Sequence, residues 1–214
     1  MRLPSRPLRL VSVLGALSLW LAPSALAATP AGTLGYYRFP TLHDDTVVFT
    51  AEGDLWSVPL EGGIARRLTS HLGEETFAEL SPDGGRIAFS ATYEGPTEVY
   101  VMSAAGGVPK RLTWEGVRAN VVGWSPQGEV LYASRRGSGL PAGQLFAVDA
   151  STGARRALPL AQAAEGLFDG STLYFTRQES NISNTRRYRG GTIQQLWRWD
   201  GRSEERRVGK ECRL

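Results

Sequence analysis

Four short apolar runs recur at nearly constant spacing in this 214-residue chain. They limit its fold more than any bulk property does. The runs are "TVVFT" (46–50), "RIAFS" (86–90), "EVLYA" (129–133) and "TLYFT" (172–176). Their aromatic positions, Phe49, Phe89, Tyr132 and Phe175, lie 40, 43 and 43 residues apart. A turn-forming stretch precedes each run: "HDD", "SPDGG", "SPQG" and "FDGS". A second segment with one bulky aromatic follows each, and these aromatics are Trp56, Tyr100, Phe146 and Trp197. In the first three copies a small-residue turn then leads into a basic, partly apolar closing stretch: "EGGIARRLT", "AGGVPKRLT" and "STGARRALP". A period near forty residues marks stacked copies of one supersecondary unit.

Alternating runs joined by Gly-containing turns form antiparallel meanders. A single meander cannot bury both faces, whereas copies stacked radially bury face against face, which is a β-propeller. The fold class expected is therefore all-β: an incomplete β-propeller of three to four blades, each a four-stranded antiparallel meander. The 25 Gly and 12 Pro suit such a turn-rich chain. Both aromatic series are expected between blades. Residues 34–39 are expected to be a stray strand that would close the ring in a longer protein. Asp83 in "SPDGGR" is explained by turn chemistry, because Asp before Gly bonds its own backbone. Propellers need about four to eight blades to close, so the chain is expected to be part of something longer. An unclosed set should be poorly stable, with exposed sheet edges.

The two ends differ from the repeat. Residues 1–27 carry Arg2, Arg6 and Arg9, an apolar run and a final Ala25-Leu26-Ala27. That is the three-part pattern of a secretory signal peptide, with cleavage expected between Ala27 and Ala28. Export to the periplasm of a Gram-negative bacterium is expected, with no membrane attachment after cleavage. Residues 202–214, "RSEERRVGKECRL", show no apolar pattern and are not expected to continue the blade. They resemble a string found at broken ends of assembled sequence, so a non-native tail is expected. The formal net charge of +3 is misleading. The leader contributes +3 and the tail +2, leaving −2 for residues 28–201. A nucleic-acid partner is excluded on that ground. Cys212, the single cysteine, lies in the tail and gives no disulfide.

No catalytic constellation is legible. Gly123-Trp124-Ser125-Pro126-Gln127 fails the nucleophile-elbow pattern at its last position. His43 and His71 have no partner at metal-ligand spacing and are expected in a turn and a surface loop. Glu74-Glu75 is expected to be a solvated pair. No residue is assigned a catalytic, cofactor or metal role. One segment departs from the repeat: about twenty residues separate Phe175 from Leu196, and they include Arg177, Arg186, Arg187 and Arg189. Loops of that length are commonly functional or disordered.

The opening of the body, "GYYRFPTLHDDTVVFTAEGDLWSVPLEGGIARRLTSHLGEETFAELSPDGGRIAFSA", together with "YRGGT" ahead of "QLW", resembles the tricorn-type serine peptidases. The resemblance covers roughly residues 35–201. It implies the first, six-bladed propeller of a longer enzyme, whose Ser nucleophile and His base lie in C-terminal domains absent from this chain. It implies peptide substrates, contacts with downstream domains and assembly into hexamers. Family propellers gate peptides, which points to Arg118 in "EGVRANVVG" and to Arg186, Arg187 and Arg189 as peptide or domain contacts. "SPDG" repeats also occur in TolB-like propellers, which leaves a non-enzymatic periplasmic binding platform as the alternative. A prolyl-oligopeptidase propeller is a third reading.

Overall fold

A computed structural model describes residues 35–139, 143–179, 194–201 and 206–208. All its regular elements are strands, arranged as four four-stranded antiparallel sheets. Blade 1 comprises β1 (Arg38–His43), β2 (Thr46–Ala51), β3 (Asp54–Pro59) and β4 (Arg66–Arg67). Blade 2 comprises β5 (Glu75–Leu80), β6 (Arg86–Ala91), β7 (Glu98–Ser103) and β8 (Lys110–Arg111). Blade 3 comprises β9 (Ala119–Trp124), β10 (Glu129–Ser134), β11 (Gln144–Asp149) and β12 (Arg155–Ala157). Blade 4 comprises β13 (Glu165–Asp169), β14 (Thr172–Thr176), β15 (Leu196–Trp199) and β16 (Arg206–Arg207). The strands of each sheet are consecutive in sequence. The architecture is that of an incomplete propeller. The expected leader lies outside the described residues.

The repeat in the sequence becomes a repeat in register. The two aromatic series pair directly across the second and third strands: Phe49 with Trp56, Phe89 with Tyr100, Tyr132 with Phe146 and Phe175 with Trp197. The second, third and fourth pairs each face the preceding blade. Phe89 and Tyr100 join Val48 and Leu55 between blades 1 and 2. Tyr132 joins Val99 and Val101 between blades 2 and 3. Phe175 joins Leu131 and Leu145 between blades 3 and 4. Side chains alternate across a strand, so a strand covered on both faces is buried throughout, and one covered on a single face alternates. β6 is buried at every position after Arg86, whereas β2 alternates. Phe49 is accordingly half-buried while Phe89 and Tyr132 are fully buried.

Closing strands couple the blades. Arg67 pairs with the buried Asp54 of its own blade, and Arg111 stands 3.2 Å from the buried Glu98. The residue before each arginine reaches forward. Arg66 donates to the Ala105 carbonyl (3.0 Å), and Lys110 Nζ donates to the Ala150 and Ser151 carbonyls (3.0 Å each). Thr69 and Thr113, two residues after Arg67 and Arg111, accept the Leu55 and Val99 N–H groups at 2.9 Å. The "RRLT" and "KRLT" stretches are thus a backward ion pair, a forward clasp and a capped N–H.

Three expectations change. The described part of the stretch 34–39 does not form a stray strand. The strand begins at Arg38 and is the innermost strand of blade 1, because Asp44 takes a left-handed φ of 46° and turns the chain into β2. Glu75 is not solvated: it is 0% exposed, since the first position of β5 points into the seam between blades. The strand pattern also extends past Gly201, where Arg206 and Arg207 pair with Arg198 and Trp197. Backbone pairing over two residues needs no apolar pattern, and β4 and β8 are equally short and basic.

Candidate functional site

The innermost strands β1, β5, β9 and β13 stand side by side along the blade axis and border a cavity of about 940 Å³. Three of them carry a β-bulge, where the register to the neighbouring strand shifts. Phe39 and Pro40 lie opposite Phe49, Phe77 and Ala78 lie opposite Phe89, and Val122 is extra between Val121 and Gly123. A bulge re-aims side chains and bends the strand. Phe39 and Phe77 adopt φ of 50° and 52°, a left-handed conformation rare for bulky residues. Their rings meet at 4.3 Å, and both line the cavity. Two aromatic residues in strained backbone at one opening mark the place to look for function.

The polar lining is sparse. Glu79 on β5 accepts a hydrogen bond from Thr41 Oγ1 of β1 at 3.0 Å, and burial pushes its carboxyl above the usual carboxylate range. Its backbone carbonyl accepts Trp124 Nε1–H at 2.9 Å, which ties β5 to β9. Asn120 Oδ1 on β9 is buried without a hydrogen-bond partner among the described residues. Arg135 pairs with Glu179 at 3.3 Å. Arg118 is exposed at the rim, in the β8–β9 connection, and forms no ion pair among the described residues. Arg186, Arg187 and Arg189 lie outside the described residues, as do Ala27 and Ala28.

Neither histidine reaches the cavity. His43 Nε2 lies 2.9 Å from the Pro82 carbonyl, and His71 Nδ1 accepts the Gly73 N–H at 2.9 Å. Ser134 borders the cavity, but its hydroxyl accepts the Arg136 N–H at 3.2 Å. Among the described residues no group of three His, Cys, Asp or Glu side chains is placed to hold a metal ion. The described cavity can bind, orient or exclude; it assembles no nucleophile with a base. Asp83 is a turn residue: its carboxylate accepts the Ser81 hydroxyl at 2.5 Å and the Gly85 N–H at 3.1 Å. The Ser81 hydroxyl bond, then the Gly85 N–H, holds the Asp83 carboxyl below its ordinary value. Of the cavity-lining residues, sequence reasoning singled out Arg118 but not Glu79 or Asn120. The only available signal was their place just before the "SPDGG" and "SPQG" turns.

The chain matches the family described as the tricorn protease N-terminal beta propeller domain across residues 34–211. It is 34% identical over 177 residues to tricorn protease homolog 1 of Streptomyces coelicolor, a match covering 80% of this chain and 16% of that protein. It is 25% identical over 164 residues to a putative tricorn-like protease N-terminal subunit of Sulfurisphaera tokodaii, covering 74% of this chain and 83% of that one. Among solved structures, tricorn protease superposes with a TM-score of 0.68 at 24% identity, over 77% of this chain and 17% of that chain. A putative TolB from Agrobacterium tumefaciens follows at 0.65 and 22%, over 84% and 64%. These two likenesses concern the fold alone. The chain thus spans about a sixth of the length of several curated relatives it matches. Register, seam packing and the match over residues 34–211 agree, and the chain belongs to the tricorn protease N-terminal beta propeller domain family.

Proposed function

We propose that this chain is the N-terminal propeller of an exported tricorn-like serine peptidase, and that its axial cavity admits and orients peptides for catalytic domains encoded downstream. The observation that carries this reading is the family match over residues 34–211, laid on a fold whose innermost strands border a cavity of about 940 Å³. A cleft with apolar walls and few polar groups suits an extended chain, whose backbone is the common element among substrates. Arg118, exposed at the rim, is the described cation placed to meet such a chain, and Arg186, Arg187 and Arg189 are candidates in the same role. Residues 1–27 direct export, and the mature protein begins at Ala28. The enzyme assembles as a homo-oligomer, a hexamer on the family resemblance.

The test is the complete reading frame of the locus. It should continue past residue 201 into a serine-peptidase domain. The purified product should hydrolyse oligopeptides and be inactivated by a serine-directed phosphonate. A stop codon soon after two more blades would overturn the enzyme reading. A second reading has its own support: the Sulfurisphaera tokodaii relative is named as an N-terminal subunit, and this chain covers 83% of it. On that reading the propeller is a separate subunit or a TolB-like binding platform, and the same sequencing result distinguishes it.

A further inference from the structure

Of the seven half-buried or buried carboxylates of blades 1 to 3, four are matched to cations, and Asp149 is held in its turn by the Ser151 and Thr152 N–H groups and the Thr152 hydroxyl. Asp54 pairs with Arg67, Glu98 with Arg111, Glu115 with Arg155 and Glu129 with Arg156. Glu75 lacks a cation but accepts from three neutral donors: Thr69, Tyr93 and the Leu55 N–H. Glu79 differs from all of these. Among the described residues it has one neutral side-chain donor, Thr41 at 3.0 Å, and no counter-ion. It is also the only one of these seven carboxylates that lines the axial cavity. A carboxylate taken partly out of water without a cation is costly, and its burial raises its pKa. Nothing in the seam packing needs that charge, because Trp124 binds the Glu79 backbone carbonyl and not its side chain.

Asn120 shows the same bias. Its Oδ1 is buried and has no hydrogen-bond partner among the described residues, and the residue borders the same cavity. An unmade hydrogen bond at a buried acceptor is itself unfavourable. The Glu79 oxygen that Thr41 leaves free and the Asn120 side chain therefore border one cavity, and neither arginine of its lining answers them: Arg135 is held by Glu179 at 3.3 Å, and Arg118 forms no ion pair among the described residues. The missing chemistry is a compact donor with positive charge.

We infer that Glu79, set by Thr41 and supported by Asn120, is a cation-recognising subsite of the axial cavity that takes the ammonium or guanidinium group of a peptide. The group supplies N–H donors to the Glu79 oxygen that Thr41 leaves free and to Asn120 Oδ1, and its charge offsets the burial of the Glu79 carboxylate. The cation can come from a peptide N-terminus or from a Lys or Arg side chain. Thr41 fixes one carboxylate oxygen and leaves the other for the ligand. This inference rests on the reading that peptides enter the cavity.

The experiment is titration calorimetry of the full chain with three alanine-based hexapeptides. One is N-acetylated and neutral in its side chains, one has a free amino terminus, and one is N-acetylated with a central lysine. At least one cationic peptide should bind about tenfold or more tightly than the neutral one, the scale of a charge-assisted hydrogen bond. Which cationic peptide does so identifies the source. Glu79→Gln should erase that preference, with the fold checked by circular dichroism. Thr41→Val should reduce the preference without abolishing it, and it keeps the test open should Glu79→Gln fail to fold. If all three peptides bind equally to the unaltered chain, the subsite is wrong while the peptide reading stands. If none binds, both fall.

Discussion

Glu75 places a carboxylate where no water reaches, and three neutral donors hold it there. Burial, the largest influence, lifts its pKa above the ordinary 4.5, and the Thr69, Tyr93 and Leu55 bonds only partly oppose this. The folded state therefore binds the Glu75 proton more tightly than the unfolded chain does. Stability should fall as pH rises from 4.5 through the raised value. Glu79 is raised by the same cause and acts with the same sign. Asp83 and Asp149 are lowered, so their contribution is lost only as pH drops below about 3.8. Glu75→Gln keeps the size and one acceptor oxygen while removing the charge. It should flatten the fall in melting temperature above pH 4.5, leaving the residual slope of Glu79. Glu75→Ala should instead destabilise by about 2–3 kcal/mol at every pH, because it strips partners from a buried site. Thermal melts across that range separate the two; a Gln variant with the unaltered slope would exclude Glu75 as its source. The sequence could not disclose this residue. Two adjacent glutamates read as solvated by type alone, and only the seam between blades decides which of them is covered. The aromatic pairs were legible for the opposite reason: their burial follows from alternation within one blade and needs no knowledge of the next.

At the scale of elements, the inner strands are the ones that the repeat concealed. The second and third strands alternate cleanly, so their periodicity survives in the sequence. The bulges at Phe39, Phe77 and Val122 add a residue and break the period of two in the strands that line the cavity. Closing strands of two residues, including Arg206–Arg207, are too short to carry a pattern at all. The bulge at Phe77 makes a diagnostic expectation. In a regular strand, glycine is worse than alanine because it loses more backbone freedom on folding. At φ of 52° the order should reverse, since alanine retains the left-handed strain of roughly 1–2 kcal/mol and glycine does not. Both variants lose the Phe39 contact and the packing against the seam between blades 2 and 3. Phe77→Gly should therefore be about 1 kcal/mol more stable than Phe77→Ala in urea denaturation. The usual order, alanine above glycine, would mean that the bulge relaxes in solution.

For the whole molecule, the question is what covers blade 1. The pairs of blades 2 to 4 face the blade before them, and the first pair, Phe49 with Trp56, has no such blade among the described residues. Tyr37 meets the Phe49 ring edge-on at 5.2 Å, which covers it in part. At the other end Leu167 and Leu196 of blade 4 are exposed. A stack with two open faces should lose structure from its ends, as repeat arrays do, and its free edges should promote association. The 214-residue chain should accordingly melt broadly at a temperature that depends on protein concentration. A sharp, concentration-independent transition would overturn this account. A pair of substitutions tests the cause. Phe89→Ala removes a ring packed on both sides and should cost about 3–5 kcal/mol in any context. Phe49→Ala removes a half-buried ring and should cost only about 1–2 kcal/mol in this chain, in proportion to the smaller area it takes from water. In the product of the complete reading frame, a closed ring would place a last blade against Phe49. The cost of Phe49→Ala should then rise toward that of Phe89→Ala, because the same side chain would sit in the same kind of seam. If the two costs already match in the 214-residue chain, the first face is covered from within, and the propeller reaches its stability without further blades.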